Sequence, residues 1–101
     1  MILSHYDNKK DGTPVLFIHG TASANRVWQD QYNILENHDY RIIGIDLRGH
    51  GKSNNPGGFC NINGHLEDLK ETINHISPNE KMIIIGHSFG ALLGLKYAEK
   101  Y

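Results

Sequence analysis

The sequence is poor in the features that mark secreted, membrane or disulfide-rich proteins. Among its 101 residues there is one cysteine, Cys60, which excludes an intrachain disulfide and fits a reducing compartment. No apolar run approaches the ~20 residues that a membrane-spanning helix needs. The first residues also lack the basic start and apolar stretch of a signal peptide. These absences predict a cytoplasmic protein without a membrane span.

Charge of one sign is also lacking, because ten Lys and Arg residues face eleven Asp and Glu residues. The only adjacent basic pair, Lys9 and Lys10, lies in an apparent turn. Binding to nucleic acid or to an anionic membrane requires a clustered basic surface. We therefore predict no nucleic-acid partner.

Three short apolar runs are present, at residues 15–18, 42–45 and 82–85. None alternates with polar residues, as a strand with one solvent-exposed face would. Continuous β-branched runs are typical of strands buried on both faces, as in a parallel sheet covered by helices. Residues 3–6 are predicted to add an edge strand, joined to the first run through a hairpin-like turn at residues 9–12.

Helical periodicity separates the apolar runs. Apolar residues spaced by three and four predict one helix over about residues 25–37, with Trp28 and Tyr32 interpreted as core or cap packing and not as a substrate platform. A second helix is predicted from a cap at Asn61 or Asn63 to about Ser77, and a third from Ser88 to the last residue. Alternating strands and helices predict an α/β fold, a three-layer α/β/α sandwich with a mostly parallel sheet.

A tight turn follows the third apolar run. Gly86-His87-Ser88-Phe89-Gly90 stands between that run and a helical stretch of small residues, the context of a nucleophile elbow. A Cβ at the flanking positions would strike the neighbouring backbone, which accounts for Gly86 and Gly90. The pattern predicts that Ser88 holds its hydroxyl above the end of the sheet.

All three predicted strands end in polar motifs. In an open α/β sheet, ligands bind at the carboxyl ends of the strands. The motifs are His19-Gly20-Thr21, Asp46-Leu47-Arg48-Gly49-His50-Gly51-Lys52-Ser53 and Gly86-His87-Ser88-Phe89-Gly90. Their order and spacing resemble the N-terminal part of an α/β-hydrolase. The resemblance covers nearly the whole chain but well under half of a complete domain of that family.

This resemblance implies roles for individual residues. Ser88 would be the nucleophile, and the backbone N–H groups of Phe89 and Thr21 would form the oxyanion hole. Each such donor is typically worth ~3 kcal/mol to the transition state. Gly20 would leave space for the substrate, and His19 would support the loop that carries Thr21.

A serine nucleophile implies acyl chemistry on a small molecule with an ester-like or amide-like bond. Esterases, lipases, thioesterases, amidases and acyltransferases all work in this way, whereas family members acting on epoxides or haloalkanes carry aspartate at the elbow. No metal or organic cofactor is implied, because the serine mechanism needs neither.

The acid and the base of a catalytic triad have no obvious place in the sequence. In the family they follow the serine along the chain, but no histidine or aspartate follows Ser88, and Glu99 lies in the elbow's own predicted helix. Residues 1–101 are therefore interpreted as the N-terminal part of a single hydrolase domain, truncated after that helix and inactive alone. The alternatives are a non-catalytic binding or assembly module, or a parent acyltransferase. An open sheet edge would favour self-association.

Other polar residues fit structural roles better. His50 and His87 are interpreted as structural, with His87 packed and hydrogen-bonded, and Asp46 and Arg48 as fixing a turn. Residues 51–53 resemble the end of a phosphate-binding loop, but Asp46 occupies the position of its first glycine. Three polar residues of the second helix are interpreted as its solvated side and not as a metal site, for want of a second group of ligands. These three are His65, Asp68 and Glu71.

Overall fold

The computed structural model describes all residues, 1–101, as four strands and three α-helices. A single turn of 3₁₀ helix, Asn25–Trp28, precedes the first α-helix. The elements in chain order are β1 (His5–Asp7), β2 (Thr13–Ile18), α1 (Gln29–Leu35), β3 (Tyr40–Ile45), α2 (Ile62–Ile76), β4 (Ile83–Gly86) and α3 (Phe89–Lys100). The three predicted apolar runs each form a strand, and each predicted helix is present.

The sheet has the order β1-β3-β2-β4 and is mostly parallel. The central strand β2 runs parallel to both neighbours, so that Leu16 pairs with Ile43 on one side and with Ile84 on the other. The predicted hairpin is wrong, because β1 pairs antiparallel with β3 and not with β2. Both edges of β2 are taken by apolar parallel strands, so β1 cannot pair with β2 and lies instead at the outer edge of β3.

The two faces of the sheet carry separate cores, because successive strand residues point to opposite faces. On one face, Leu16, Ile18, Ile43 and Ile45 pack with residues of α2 and α3. On the other, Val15, Phe17 and Ile42 pack around Tyr32 of α1. The result is the predicted three-layer α/β/α sandwich.

The helices begin and end where local chemistry allows. The Asn61 side chain accepts a hydrogen bond from the Gly64 amide at 2.8 Å and caps α2. Trp28 and Tyr32 pack against Phe17, with ring centroids 5.2 and 5.1 Å from it. Tyr32 is buried in the core, and the partly buried Trp28 packs against it, as the interpretation of both as packing residues predicts. Measured against the requirements for crossing a bilayer, every helix is too short or too polar.

Strand β4 departs from the prediction of burial on both faces. It pairs only with β2, and its first residue, Ile83, is 46% exposed. On the adjacent helix α3, Leu95 is 73% exposed and Leu92 is 40% exposed. The apolar sequence of β4 therefore forms an edge strand, because no further strand lies beside it.

Candidate active site

Ser88 occupies a sharp turn between β4 and α3. Its backbone has φ 57° and ψ −120°, a conformation that costs a non-glycine residue about 1–3 kcal/mol. Two hydrogen bonds hold the turn: the His87 amide donates to the Ile18 carbonyl at 3.1 Å, and the Gly90 amide donates to the His87 carbonyl at 2.9 Å. The side chain of Ser88 is exposed and caps no helical amide.

The two glycines that flank Ser88 are required by close backbone contacts. A Cβ on Gly86 would lie 2.5 Å from the carbonyl oxygen of Gly90. A Cβ on Gly90 would lie 2.1 Å from the carbonyl oxygen of Ile18, on the central strand. Both distances are shorter than any real contact, so the turn can pack against β2 only with glycine at these positions.

The segment that follows β2, residues 19–25, is called the β2 loop here, and it adjoins the Ser88 turn. A Cβ built on the buried Gly20 would lie 3.3 Å from Ser88 Cβ and 3.3 Å from the His87 carbonyl oxygen. Outside the regular strands and helices, no hydrogen bond uses the backbone amide of Thr21 or of Phe89. Two unused amides therefore lie on either side of the contact between the β2 loop and the Ser88 turn.

His19 links the β2 loop to the segment that follows β3, residues 46–53, called the β3 loop here. It is fully buried, and its Nε2 accepts a hydrogen bond from the Leu47 amide at 3.0 Å. Its Nδ1 lies 2.6 Å from the Gly20 carbonyl oxygen. Burial lowers the pKa of His19, which is consistent with a neutral imidazole that donates from Nδ1 and accepts at Nε2.

His50 makes a similar link in the opposite direction. Its Nε2 accepts a hydrogen bond from the Ala22 amide at 2.9 Å, and its Nδ1 lies 2.9 Å from the Arg48 carbonyl oxygen. The ring centroids of His50 and His19 are 5.2 Å apart. The structural role of His50 is therefore specific: its side chain holds the β2 loop at Ala22, next to Thr21.

Asp46 holds the far end of the β2 loop. Its buried carboxylate accepts hydrogen bonds from the Asn25 amide at 2.8 Å, the Asn25 side chain at 2.9 Å and the Lys52 amide at 3.1 Å. Burial alone would raise the pKa of Asp46, but the hydrogen bonds from Asn25 and Lys52 hold that pKa below its ordinary value. Gly51 is needed nearby, because a Cβ there would overlap this carboxylate.

Arg48 and Asp68 form a pair that the sequence analysis missed. Arg48 donates to both carboxylate oxygens of Asp68, each at 2.8 Å, and the N-terminal ammonium of Met1 donates to the same carboxylate at 3.0 Å. The interpretation of the α2 side chains as solvated is wrong for His65 and Asp68, which are 9% and 1% exposed. The burial of Asp68 is possible because two cations neutralise it.

The cluster around Asp68 brings three metal-ligating atoms together. One atom each from Cys60, His65 and Asp68 lies within 4.8 Å of the other two. The Asp68 carboxylate is already paired with Arg48 and with the N-terminus, however. A cation would have to compete with both positive groups, so this geometry does not favour a metal centre.

The Ser88 hydroxyl has no histidine partner within hydrogen-bond distance in this structure. His87 is exposed, which corrects its interpretation as a packed side chain, although its Nδ1 would lie 3.5 Å from a Cβ built on Gly20. Glu99 is exposed and lies about 15 Å further along the axis of α3.

An apolar groove of about 690 Å³ adjoins Phe89, the residue after the turn serine. The sequence analysis did not anticipate it, because its walls come from separate parts of the chain: the segment before α2, α2 itself and α3. The side chains that line it are mainly those of Phe59, Cys60, Ile62, Leu66, Phe89 and Lys96.

The chain has the α/β-hydrolase fold: a three-layer sandwich with polar motifs at the carboxyl ends of its parallel strands. Comparison with protein families makes the assignment more specific. Residues 9–101 match the family described as serine aminopeptidase, S33, and the chain belongs to that family.

Similar proteins carry names from several hydrolase activities. The chain is 30% identical over 90 residues to the AB hydrolase superfamily protein YisY of Bacillus subtilis, and the match covers 89% of the chain. It is 31% identical over 100 residues to the probable lysophospholipase BODYGUARD 2 of Arabidopsis thaliana, over 94% of the chain. A thermophilic esterase from Thermogutta terrifontis superposes on 98% of the chain with a TM-score of 0.88 and 31% identity.

The chain is much shorter than these proteins. The matched region spans 33% of YisY, 21% of BODYGUARD 2 and 36% of the esterase chain. The similarity therefore concerns a portion of each, and the activity of a whole protein of this kind is a separate question.

Proposed function

We propose that this chain supplies the nucleophile and the oxyanion-binding half of a serine hydrolase active site, with Ser88 as the nucleophile. The observation that carries the proposal is the strained backbone of Ser88 beside the β2 loop. Strain of this kind persists only where the surrounding structure enforces it, and it is concentrated at functional sites. The proposed substrate is a small molecule with an ester-like or amide-like bond.

In the proposed reaction, Ser88 Oγ attacks the carbonyl carbon and the carbonyl oxygen becomes an oxyanion. The amides of Phe89 and Thr21 are the proposed donors to that oxyanion, and neither is used elsewhere in the loops and turns. The Phe89 amide also lies in the first turn of α3, where the helix dipole favours negative charge. Loss of the alcohol or amine leaves an acyl-serine, which water or another acceptor then releases.

The proton of Ser88 must go to a base that residues 1–101 do not place within reach. We therefore propose that base and orienting acid come from outside these residues, and we expect no ester turnover from them alone. Whether water or another acceptor takes the acyl group distinguishes a hydrolase from an acyltransferase. The proposed chemistry requires no cofactor.

Labelling with a fluorophosphonate, with and without added imidazole as an external base, tests the proposal. We expect imidazole to accelerate labelling of Ser88, and Ser88→Ala to abolish it. Thr21→Ala keeps the backbone amide and should label normally, whereas Thr21→Pro lacks the N–H and should label more slowly. Equal labelling of the Ser88→Ala variant, or of Thr21→Pro and Thr21→Ala, would contradict the proposal.

A second candidate is an assembly role, which the open edge of β4 favours. Unpaired backbone groups on an edge strand can pair with another chain. The apolar side chains of Ile83 and Leu95 are exposed at this edge. Sedimentation equilibrium tests for a dimer: Ile83→Lys should reduce association, and a monomer at all concentrations would exclude this role.

A further inference from the structure

The β2 and β3 loops hold each other through a reciprocal pair of histidines, His19 and His50. His19 belongs to the β2 loop and accepts a hydrogen bond from Leu47 of the β3 loop at 3.0 Å. His50 belongs to the β3 loop and accepts one from Ala22 of the β2 loop at 2.9 Å. Each loop therefore supplies one imidazole acceptor and one amide donor to the other.

Both histidines are restricted to one neutral tautomer. The Nδ1 atom of His19 faces the Gly20 carbonyl at 2.6 Å, and that of His50 faces the Arg48 carbonyl at 2.9 Å. A carbonyl oxygen can only accept, so Nδ1 must carry the proton in each ring. A backbone N–H can only donate, so Nε2 must be unprotonated.

We propose that His50 is a positioning residue for the oxyanion hole, and that its Nδ1-protonated neutral form fixes the β2 loop at Ala22, directly after the proposed donor Thr21. This inference rests on the proposed function of Thr21. Ala22 has φ 60°, in the left-handed region that alanine adopts reluctantly. Among the backbone amides of residues 21–23, only that of Ala22 donates a hydrogen bond, and the acceptor is His50.

The other hydrogen bonds that hold the β2 loop lie at its two ends, so the bond from Ala22 to His50 is the one that holds its middle. His19 fixes Gly20 at one end, and Asp46 fixes Asn25 at the other. Without the bond from His50, the strained conformation at Ala22 has no polar contact to hold it. The bond from Ala22 to His50 fixes the Thr21–Ala22 peptide unit, and the Thr21 N–H, in the preceding unit, is separated from it only by the two backbone dihedrals of Thr21.

Amide hydrogen exchange and long-range ¹H–¹⁵N spectra of the histidine rings test the proposal. We expect His50 to appear as the Nδ1–H tautomer at neutral pH, and the Ala22 amide to be protected from exchange. His50→Leu should raise the exchange rate of Ala22 about fivefold at neutral pH. His50→Gln offers an oxygen acceptor in place of Nε2, so it should restore slow exchange. The exposed His38, replaced by Gln, is the matched control and should change nothing.

These measurements are independent of the reactivity of Ser88, because exchange can be followed in the Ser88→Ala background. Fluorophosphonate labelling then connects the pair to the site: we expect His50→Leu to slow imidazole-assisted labelling and His50→Gln to restore it. An Nε2–H tautomer of His50, or identical exchange at Ala22 in the Leu and Gln variants, would overturn the proposal. Unlabelled Ser88 with the expected exchange pattern would instead count against the proposed function.

Discussion

The carboxyl ends of the parallel strands form one edge of the sheet, and the two parts of that edge differ in how many of their polar groups are hydrogen-bonded. The β2–β3 end consists of the β2 and β3 loops, and the β4 end consists of strand β4 and the Ser88 turn. At the β2–β3 end, the polar side chains of His19 and Asp46 are buried and hydrogen-bonded to the neighbouring loop. At the β4 end, Ser88 and His87 are exposed, and the edge of the strand is unpaired. The chain therefore builds the proposed oxyanion loop from its own residues, but it leaves the serine uncovered.

This contrast has a consequence for how each end can be disturbed. A loop held by buried polar groups loses several contacts at once when one group is removed, because its remaining partners stay buried and unsatisfied. An exposed edge has few contacts to lose. Substitutions at the β2–β3 end should therefore cost more than comparable substitutions at the β4 edge, except where the Ser88 turn itself packs on β2.

The largest effect is expected where the two ends meet, at Gly90. In Gly90→Ala the added Cβ would fall 2.1 Å from the Ile18 carbonyl oxygen, so the turn must separate from the central strand. We expect a loss of roughly 3–5 kcal/mol in the free energy of unfolding, measured by urea denaturation. Gly57→Ala is the control, since only its positive φ is strained and no atom lies within 4 Å. Similar costs for both variants would show that the turn is not packed as described.

A smaller loss is expected for Asp46→Asn, which tests the partnered end directly. The amide group replaces a charged acceptor, and its NH₂ faces either the Asn25 or the Lys52 amide. We expect a destabilisation of about 2 kcal/mol by urea denaturation. The matched variant Asp30→Asn lies at an exposed position of α1 and should change stability by less than about 0.5 kcal/mol. Equal effects would remove the distinction between the two ends.

The partnered end should also make stability depend on pH. Burial lowers the pKa of His19 below its ordinary value of 6.5, so the unfolded chain binds a proton at this site more readily than the folded chain. The part of the free energy of unfolding that depends on His19 is therefore fully present above pH 6.5 and decreases as the pH drops below that value. Asp46 acts in the same direction at lower pH, since its pKa is held below 3.8 in the folded state.

Urea denaturation at pH 7.5 and pH 5.5 measures this dependence. The wild type should be less stable at pH 5.5, and His19→Gln, although destabilised overall, should show a smaller difference between the two pH values. The exposed His38→Gln should keep the wild-type difference. An unchanged difference in His19→Gln would assign the acid sensitivity to another group.

The smallest effect is expected at the β4 edge. Leu95 is 73% exposed on α3, so Leu95→Lys should change the free energy of unfolding by less than about 0.5 kcal/mol. The buried Leu93 in the same helix provides the contrast, because Leu93→Ala should cost about 2–5 kcal/mol. A large loss in Leu95→Lys that shrinks as both proteins are diluted would mean that this face is covered in solution by a second copy.

Much of the fold could be predicted from local sequence, and the failures have a common cause. The apolar runs, the cap at Asn61 and the glycines around Ser88 each depend on contacts close in sequence or on a backbone conformation that few residues tolerate. The predicted hairpin failed because pairing depends on which strand edges remain free after β2 has paired. The burial of Asp68 was missed because its partners, Arg48 and Met1, are distant in sequence.

The sequence by itself determined the order of strands and helices, the sharp turn at Ser88 and the set of polar residues at the strand ends, because hydrophobic periodicity and backbone sterics act locally. Only the tertiary structure decided which imidazole accepts from which amide, which carboxylate is neutralised by which cation, and which strand is left at an open edge. Those choices depend on distances between residues far apart in the chain, and these distances are set only when the sheet and its covering helices pack together.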